Sequence, residues 1–260
     1  MQATPPSRRT VLLGSAVGLA ALGTGLFAVP AEAQRAALST LVFISKRLDA
    51  STADYRKWYI EHHAPDFLSY ARPYLSRYTQ DFVEKAHMGD VDFDCISEFQ
   101  YSSLEALDAL QKLNAAPEAQ RILAAHPKIG SKPGPHEDHG GPRTFSVDER
   151  LLAGSPRAYD PPGTRKQAVL IRRKEKASRD AFAAAAMHFG SAIADGRANR
   201  VVLDLAVAEP DRPAPIYDGV IQIWPTKGTG LVEAPGDVPA EIEVVNTIDL
   251  LSYESDLAKR

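Results

Sequence analysis

Apolar residues along the chain fall into short runs bounded by turn residues, and most of these runs have the length of a strand. Residues 41–47, LVFISKR, read as a buried strand ending in charge, and residues 168–173, AVLIRR, read the same way. Each is followed by a turn and a helical pattern. Ser51 with Asp54 makes a capping box for the first helix, which carries Tyr55, Tyr59 and His62 on one side. Ser178 caps the second, where Phe182, Ala185, Met187 and Phe189 supply apolar surface. Strand patterns follow at residues 74–83 and 93–99, a helical stretch at 104–124 and a fourth strand at 144–152. In the second half, residues 200–207, 217–224 and 241–250 are strand candidates, and residues 225–239 read as a loop where the first half has a helix.

The order is β-α-β-β-α-β, then β-α-β-β-loop-β, and each half matches the ferredoxin-like arrangement of helices on one face of a four-stranded antiparallel sheet. A single unit leaves its other sheet face bare, and an apolar face of that size must be buried. The expected fold class is therefore α+β: tandem ferredoxin-like units whose sheets pack face to face as an intrachain α/β barrel. The expected divisions are a leader at 1–33, a first unit at 38–153, a linker at 154–164 containing GSPRAYDPPG, and a degenerate second unit at 165–253.

The 260 residues, 44% hydrophobic and 24% charged with a net charge of −3, exclude a disordered or collagen-like chain and offer no basic surface for nucleic acid. The single cysteine, Cys95, rules out an intrachain disulfide framework and a multi-cysteine metal cluster. It alternates with Phe93 and Ser97 on a predicted strand, which points to burial as a small apolar group.

Ser7-Arg8-Arg9-Thr10-Val11-Leu12 precedes a Gly/Ala-rich apolar run that closes with Ala31-Glu32-Ala33. This resembles the signal of the bacterial twin-arginine export route. The run is long enough to remain as an N-terminal anchor, but the Ala-x-Ala end and the polar stretch beyond it fit a cleaved leader better. The resemblance implies passage through the twin-arginine export machinery, cleavage before Gln34 and a soluble periplasmic protein without stable membrane insertion. That route carries proteins already folded, so a cofactor is permitted and not required.

Trp58-Tyr59-Ile60-Glu61-His62-His63-Ala64-Pro65, after a strand ending in Lys46-Arg47, resembles the EthD domain family of the dimeric α/β-barrel superfamily. His63 and Pro65 take the family's His and Pro positions, and Tyr59 stands in the usual Trp place beside Trp58. The resemblance covers residues 40–152 and reaches 166–250 faintly, where His188 occupies the corresponding helical place without the Pro. It implies a scaffold shared by decarboxylases and dehydratases of aromatic polyketides, quinone-forming monooxygenases, lactone isomerases and haem proteins.

A space between helix and sheet lined by Tyr55, Tyr59, Tyr74, Tyr78, Phe82 and Phe99 would suit a flat, mostly apolar ligand; the same rings would equally serve as core. On a regular helix His62 and His63 diverge by about 100°, which disfavours their binding one metal together. His62 then lies near the centre of the Tyr55/Tyr59 arc, with His63 at its edge. The family position favours His63 as the proton carrier; Asp66, at i+3 from it, could orient and tune the imidazole or equally be a solvent-facing acid, and Tyr78 could hold a substrate oxygen. His136 and His139, in a Gly/Pro-rich stretch with Asp138, could reach a ligand, hold a divalent metal or sit on an ordinary surface loop. The expected function is a cofactor-independent periplasmic enzyme acting on a small aromatic or polyketide-like compound by decarboxylation, dehydration or isomerisation. A noncatalytic carrier or accessory protein for small hydrophobic molecules is one alternative, and a haem-dependent or other oxidative enzyme is another. Oligomeric state is open, with a homo-oligomer allowed.

Overall fold

The computed structural model describes residues 38–46, 49–117, 119, 143–156, 160–194, 198–207, 214–226 and 237–257. The expected leader and the stretch carrying His136 and His139 lie outside the described residues, as does most of the expected loop at 225–239.

Eight strands form the frame: β1 (Leu38–Ile44), β2 (Leu75–Ala86), β3 (Cys95–Tyr101), β4 (Arg143–Ala153), β5 (Thr164–Arg173), β6 (Ala198–Ala206), β7 (Gly219–Pro225) and β8 (Ile242–Glu254). They close into a barrel in the order β1-β3-β2-β8-β5-β7-β6-β4, with every pairing antiparallel. Within each half the order is that of a ferredoxin-like sheet. The sheets also hydrogen-bond edge to edge, β2 to β8 from Thr79↔Glu254 to Ala86↔Ile248, and β4 to β6 from Val147↔Ala206 to Ala153↔Val201. These two ladders leave none of the eight strands with an unpaired edge.

Helices cover the outside. In the first half α1 (Thr52–Trp58) runs through a π-helical turn (Tyr59–His63) into α2 (Ala64–Ala71), and α3 (Leu104–Asn114) follows β3. In the second half α4 (Arg179–Ile193) buries Phe182, Ala186, Phe189 and Ile193 at helical spacing against Val201, Leu203, Ile221 and Ile223. Ala186 lies at the centre of the buried stripe, and Ala185 and Met187 are partly buried against the same core. The expected cap is present, with the Ser178 side chain accepting from the Ala181 amide at 3.1 Å. Strands covered by helix outside and barrel inside are buried on both faces, which is why β5 shows an unbroken buried run from Lys166 to Ile171.

The barrel interior has two zones. One is apolar, where Phe43 stacks on Phe145 at 5.4 Å and meets Phe93 edge-on at 4.9 Å. The other is polar and buried: Asp81, Glu98, Lys166, Asp204, Gln222 and Ser252. These residues explain why β5 starts before the predicted apolar run and β8 extends beyond Leu250. Their strand ends are polar by composition and buried by barrel closure.

Candidate active site

The first helix begins as its sequence predicts, with Ser51 Oγ accepting from the Asp54 amide at 3.1 Å and donating to Asp54 Oδ2 at 2.7 Å. Arg56 ties it to β2, donating from Nη2 to the Val83 carbonyl at 2.8 Å and pairing with Glu84 at 2.5 Å. Tyr55 and Tyr59 consequently point into the sheet, with Tyr55 edge-on to both Tyr59 and Phe82 at 5.6 and 6.0 Å.

The helix then widens. The Ala64 amide bonds to the Tyr59 carbonyl, five residues back, so one extra residue is accommodated in the turn. Pro65 supplies the local cause: it has no amide hydrogen, and in a regular helix its ring would collide with the Glu61 carbonyl. The buried face consequently passes from Tyr55 and Tyr59 to Ala64, Leu68 and Ala71. His62, placed by a regular wheel at the centre of the Tyr55/Tyr59 arc, is instead exposed. His63 turns inward and is half-buried, with its ring 4.4 Å from Tyr59 and 5.5 Å from Trp58.

Tyr78 and Phe82 rise from the helix-facing side of β2. Tyr78 stacks on Phe99 at 4.9 Å and contacts Phe67 at 5.1 Å, while Tyr253 on β8 meets Phe82 at 5.8 Å. Tyr55, Tyr78 and Phe82 are 0% exposed and Tyr59 is 2% exposed, so these rings form core as well as site. Tyr74 lies on a 3-10 turn (Arg72–Tyr74) and packs with the Phe67 and Tyr78 cluster rather than beside Phe82. Asp66 is half-buried in the first turn of α2.

The polar atoms within this aromatic layer are the informative feature. Tyr59 Oη and Ser97 Oγ are 2.9 Å apart, a buried hydrogen bond from helix to β3. Tyr55 Oη, Tyr78 Oη and Gln80 Nε2 are buried without a well-aligned hydrogen-bond partner among the described residues, although the Cys95 thiol lies beside Tyr55 and the Tyr59 and Gln80 side chains lie beside Tyr78. Gln80 lies between Tyr78 and Phe82 on the same strand face and opposite Ser97 in register. Orphaned buried donors carry a desolvation cost, and they mark places where a water or a ligand oxygen belongs.

Burial pushes the phenols of Tyr55, Tyr59 and Tyr78 upward. Cys95 adds to the shift at Tyr55, Tyr78 adds to it at Tyr59, and the neighbouring Tyr59 and Gln80 side chains partly oppose it at Tyr78. All three are neutral donors near neutral pH. Cys95 is fully buried and its thiol is pushed up by burial and then by Asp81, so it behaves as an inert small side chain. The layer can donate hydrogen bonds to an oxygen, with His63 at its edge as the group able to exchange a proton. Tyr55, Tyr59 and Phe82 pack edge to face against one another beside His63. Among the described residues no cluster of three or more His, Cys, Asp or Glu is arranged to hold a metal ion.

A second polar cluster, absent from the sequence reading, lies inside the barrel. Lys166 Nζ is 2.7 Å from Asp81 Oδ2, 2.6 Å from Glu98 Oε1 and 2.5 Å from Gln222 Oε1. Gln222 Nε2 donates to Asp204 Oδ2 at 2.7 Å. Burial first, and then the Glu98 carboxylate, raises Asp81 well above the usual carboxylate range despite Lys166. Burial and the neighbouring Glu149 and Glu98 carboxylates do the same at Asp204, despite the Gln222 hydrogen bond. The available signal was a lone polar residue inside an apolar strand run, as in VVLDLAV and VIQIW.

Residues 47–129 match the EthD domain family. No curated protein matches the sequence. Among solved structures, the chain is similar to an anthrone oxidase-like protein at 14% identity and a TM-score of 0.51, over 87% of this chain and 96% of that one. A candidate monooxygenase from Fusobacterium nucleatum subsp. nucleatum is 11% identical, with a TM-score of 0.48 over 85% of this chain and 95% of its own. A candidate chlorite dismutase is 14% identical, with a TM-score of 0.43 over 85% of this chain and 96% of its own. At these identities the first likeness establishes a common fold, that of the α/β barrels.

Proposed function

We propose that the chain is an exported enzyme that acts on a small aromatic or polyketide-like compound by acid-base chemistry, in a decarboxylation, dehydration or isomerisation. The observation that carries this reading is the set of orphaned donors, Tyr55 Oη, Tyr78 Oη and Gln80 Nε2, buried in an aromatic layer beside half-buried His63. Each of these reactions moves a proton while negative charge gathers on an oxygen. His63 would carry the proton, Asp66 would tune it, and Tyr78 would hold the oxygen, without a cofactor. Packed rings enclose the donors, so in this reading the α1–π turn segment lifts from β2 and β3 to admit the ligand.

The test is turnover of a panel of hydroxylated aromatic acids and ketones by purified protein, with product analysis by mass spectrometry. Loss of turnover in His63→Gln with retained ligand binding supports the reading, and unchanged turnover removes His63 from it. A noncatalytic carrier is the second reading, favoured by the complete enclosure of Tyr55 and Tyr78; it predicts saturable binding without product. Oxidised product would instead favour an oxidative enzyme. For the leader, processing before Gln34 and periplasmic recovery dependent on Arg8 and Arg9 are the expected results.

A further inference from the structure

Lys166 on β5 and Asp81 on β2 come from different halves of the chain, from the two strands that flank β8, and their side chains meet inside the barrel. Both side chains are 0% exposed, and Nζ is 2.7 Å from Asp81 Oδ2. A C–O bond of about 1.2 Å places Asp81 Cγ within about 4 Å of that nitrogen. Glu98 Oε1 touches the same nitrogen at 2.6 Å, and Gln222 Oε1 holds it at 2.5 Å. Ser252 Oγ donates a short hydrogen bond to the other Asp81 oxygen, Oδ1. The cluster therefore contains an amine, a carboxyl group, a carboxylate in contact with the amine, and a hydroxyl on the oxygen that would remain.

We propose that Lys166 and Asp81 condense after folding into an intramolecular amide bond, with Glu98 as the proton carrier. Glu98 takes a proton from the Lys166 ammonium, and the neutral amine attacks Cγ of the Asp81 carboxylic acid, forming the Nζ–Cγ bond. Charge gathers on Oδ1, where the Ser252 hydroxyl stabilises it. Glu98 passes its proton to Oδ2, the Cγ–Oδ2 bond breaks and water leaves. The remaining surplus proton on nitrogen moves to Glu98, which ends neutral beside the new amide. No oxidant or reductant is needed. The fold supplies proximity and excludes competing water, and the reaction removes the cost of keeping an ammonium and a carboxylate buried. The bond would join the two halves covalently in a chain whose lone cysteine, Cys95, is free and buried.

Proteolytic digestion of the folded full chain after denaturation, read by tandem mass spectrometry, decides the matter. The expected product is a branched peptide joining the Asp81 and Lys166 segments, lighter than the two together by one water. Recovery of the two segments as separate linear peptides overturns the proposal. Glu98→Gln, checked for folding by circular dichroism, is expected to yield linear peptides; a branched peptide there overturns the role of Glu98. Asp81→Asn is expected to give the same branched product with ammonia as the leaving group. Wild type and Asp81→Asn remain decisive if Glu98→Gln does not fold.

Discussion

Tyr78→Phe and Tyr59→Phe remove the same atom from two neighbouring buried rings, yet the structure predicts opposite effects on stability. Tyr78 is 0% exposed and its hydroxyl has no well-aligned partner among the described residues, with the Tyr59 and Gln80 side chains beside it. Leaving such a donor unsatisfied costs about 1–3 kcal/mol, and its removal leaves the ring contacts with Phe67 and Phe99 in place. Tyr78→Phe is therefore expected to stabilise the ligand-free protein by about 1 kcal/mol, allowing for partial relaxation. Tyr59 is bonded to Ser97 at 2.9 Å, so Tyr59→Phe loses that buried bond and leaves the Ser97 hydroxyl with the weaker Cys95 thiol beside it. Its expected cost is about 1–2 kcal/mol. Urea denaturation monitored by circular dichroism reads both, as a rise and a fall in midpoint at unchanged m-value. If Tyr78→Phe destabilises by more than about 1 kcal/mol, its hydroxyl is satisfied in the resting protein and the ligand-oxygen argument loses its support. The same variant should weaken ligand binding, because a group kept at a cost to stability is expected to act elsewhere.

Asp204→Asn should flatten the pH dependence of stability. A raised carboxyl pKa means that the folded chain holds a proton the unfolded chain releases. Its stabilising contribution is present below the ordinary carboxylate value and is lost as pH rises through the raised one. The loss is at most about 1.4 kcal/mol per pH unit per group, read from urea midpoints between about pH 4 and 8; an unchanged slope in the variant would assign the titration to another group. Pro65→Ala should let the helix run regularly from α1 into α2 and draw His63 away from Tyr59, seen as a changed His63 ring environment by NMR. A π turn that persists in the variant would mean that packing rather than proline holds it. Gly154 has φ of +85°, and an added Cβ would lie 2.3 Å from the Asn199 carbonyl oxygen. Gly154→Ala should cost at least about 2 kcal/mol in thermal or urea denaturation, and a neutral effect would refute the tight turn leaving β4.

Strands and capped helices were readable because they rest on local causes. The strand at Leu41, the Ser51 and Ser178 caps and the aromatic face of Tyr55 and Tyr59 follow from alternation, helical spacing and side-chain-to-backbone hydrogen bonds within a few residues. The need to bury a second sheet face was legible for the same reason, and it leads to an α/β barrel. The inward turn of His63 was half legible. Pro65 signals a disturbance in the helix, but whether the helix breaks, kinks or takes up one residue depends on what packs beneath it. Wheel geometry alone therefore placed His62 where the structure places His63.

The polar interior belonged to the tertiary structure. Lys166, Asp81, Glu98 and Asp204 each look, within their own strands, like solvent-facing charges at strand ends or interruptions of apolar runs. The β2–β8 and β4–β6 ladders close the barrel and turn those positions inward together, so long-range pairing decided which charges meet. Likewise, the poorly partnered hydroxyls of Tyr55 and Tyr78 follow from three-dimensional packing across helix and sheet. Sequence thus determined which elements form and which faces seek cover, since those depend on neighbours along the chain. Closure of the sheet determined which polar atoms were left facing one another, since those neighbours are set across the barrel.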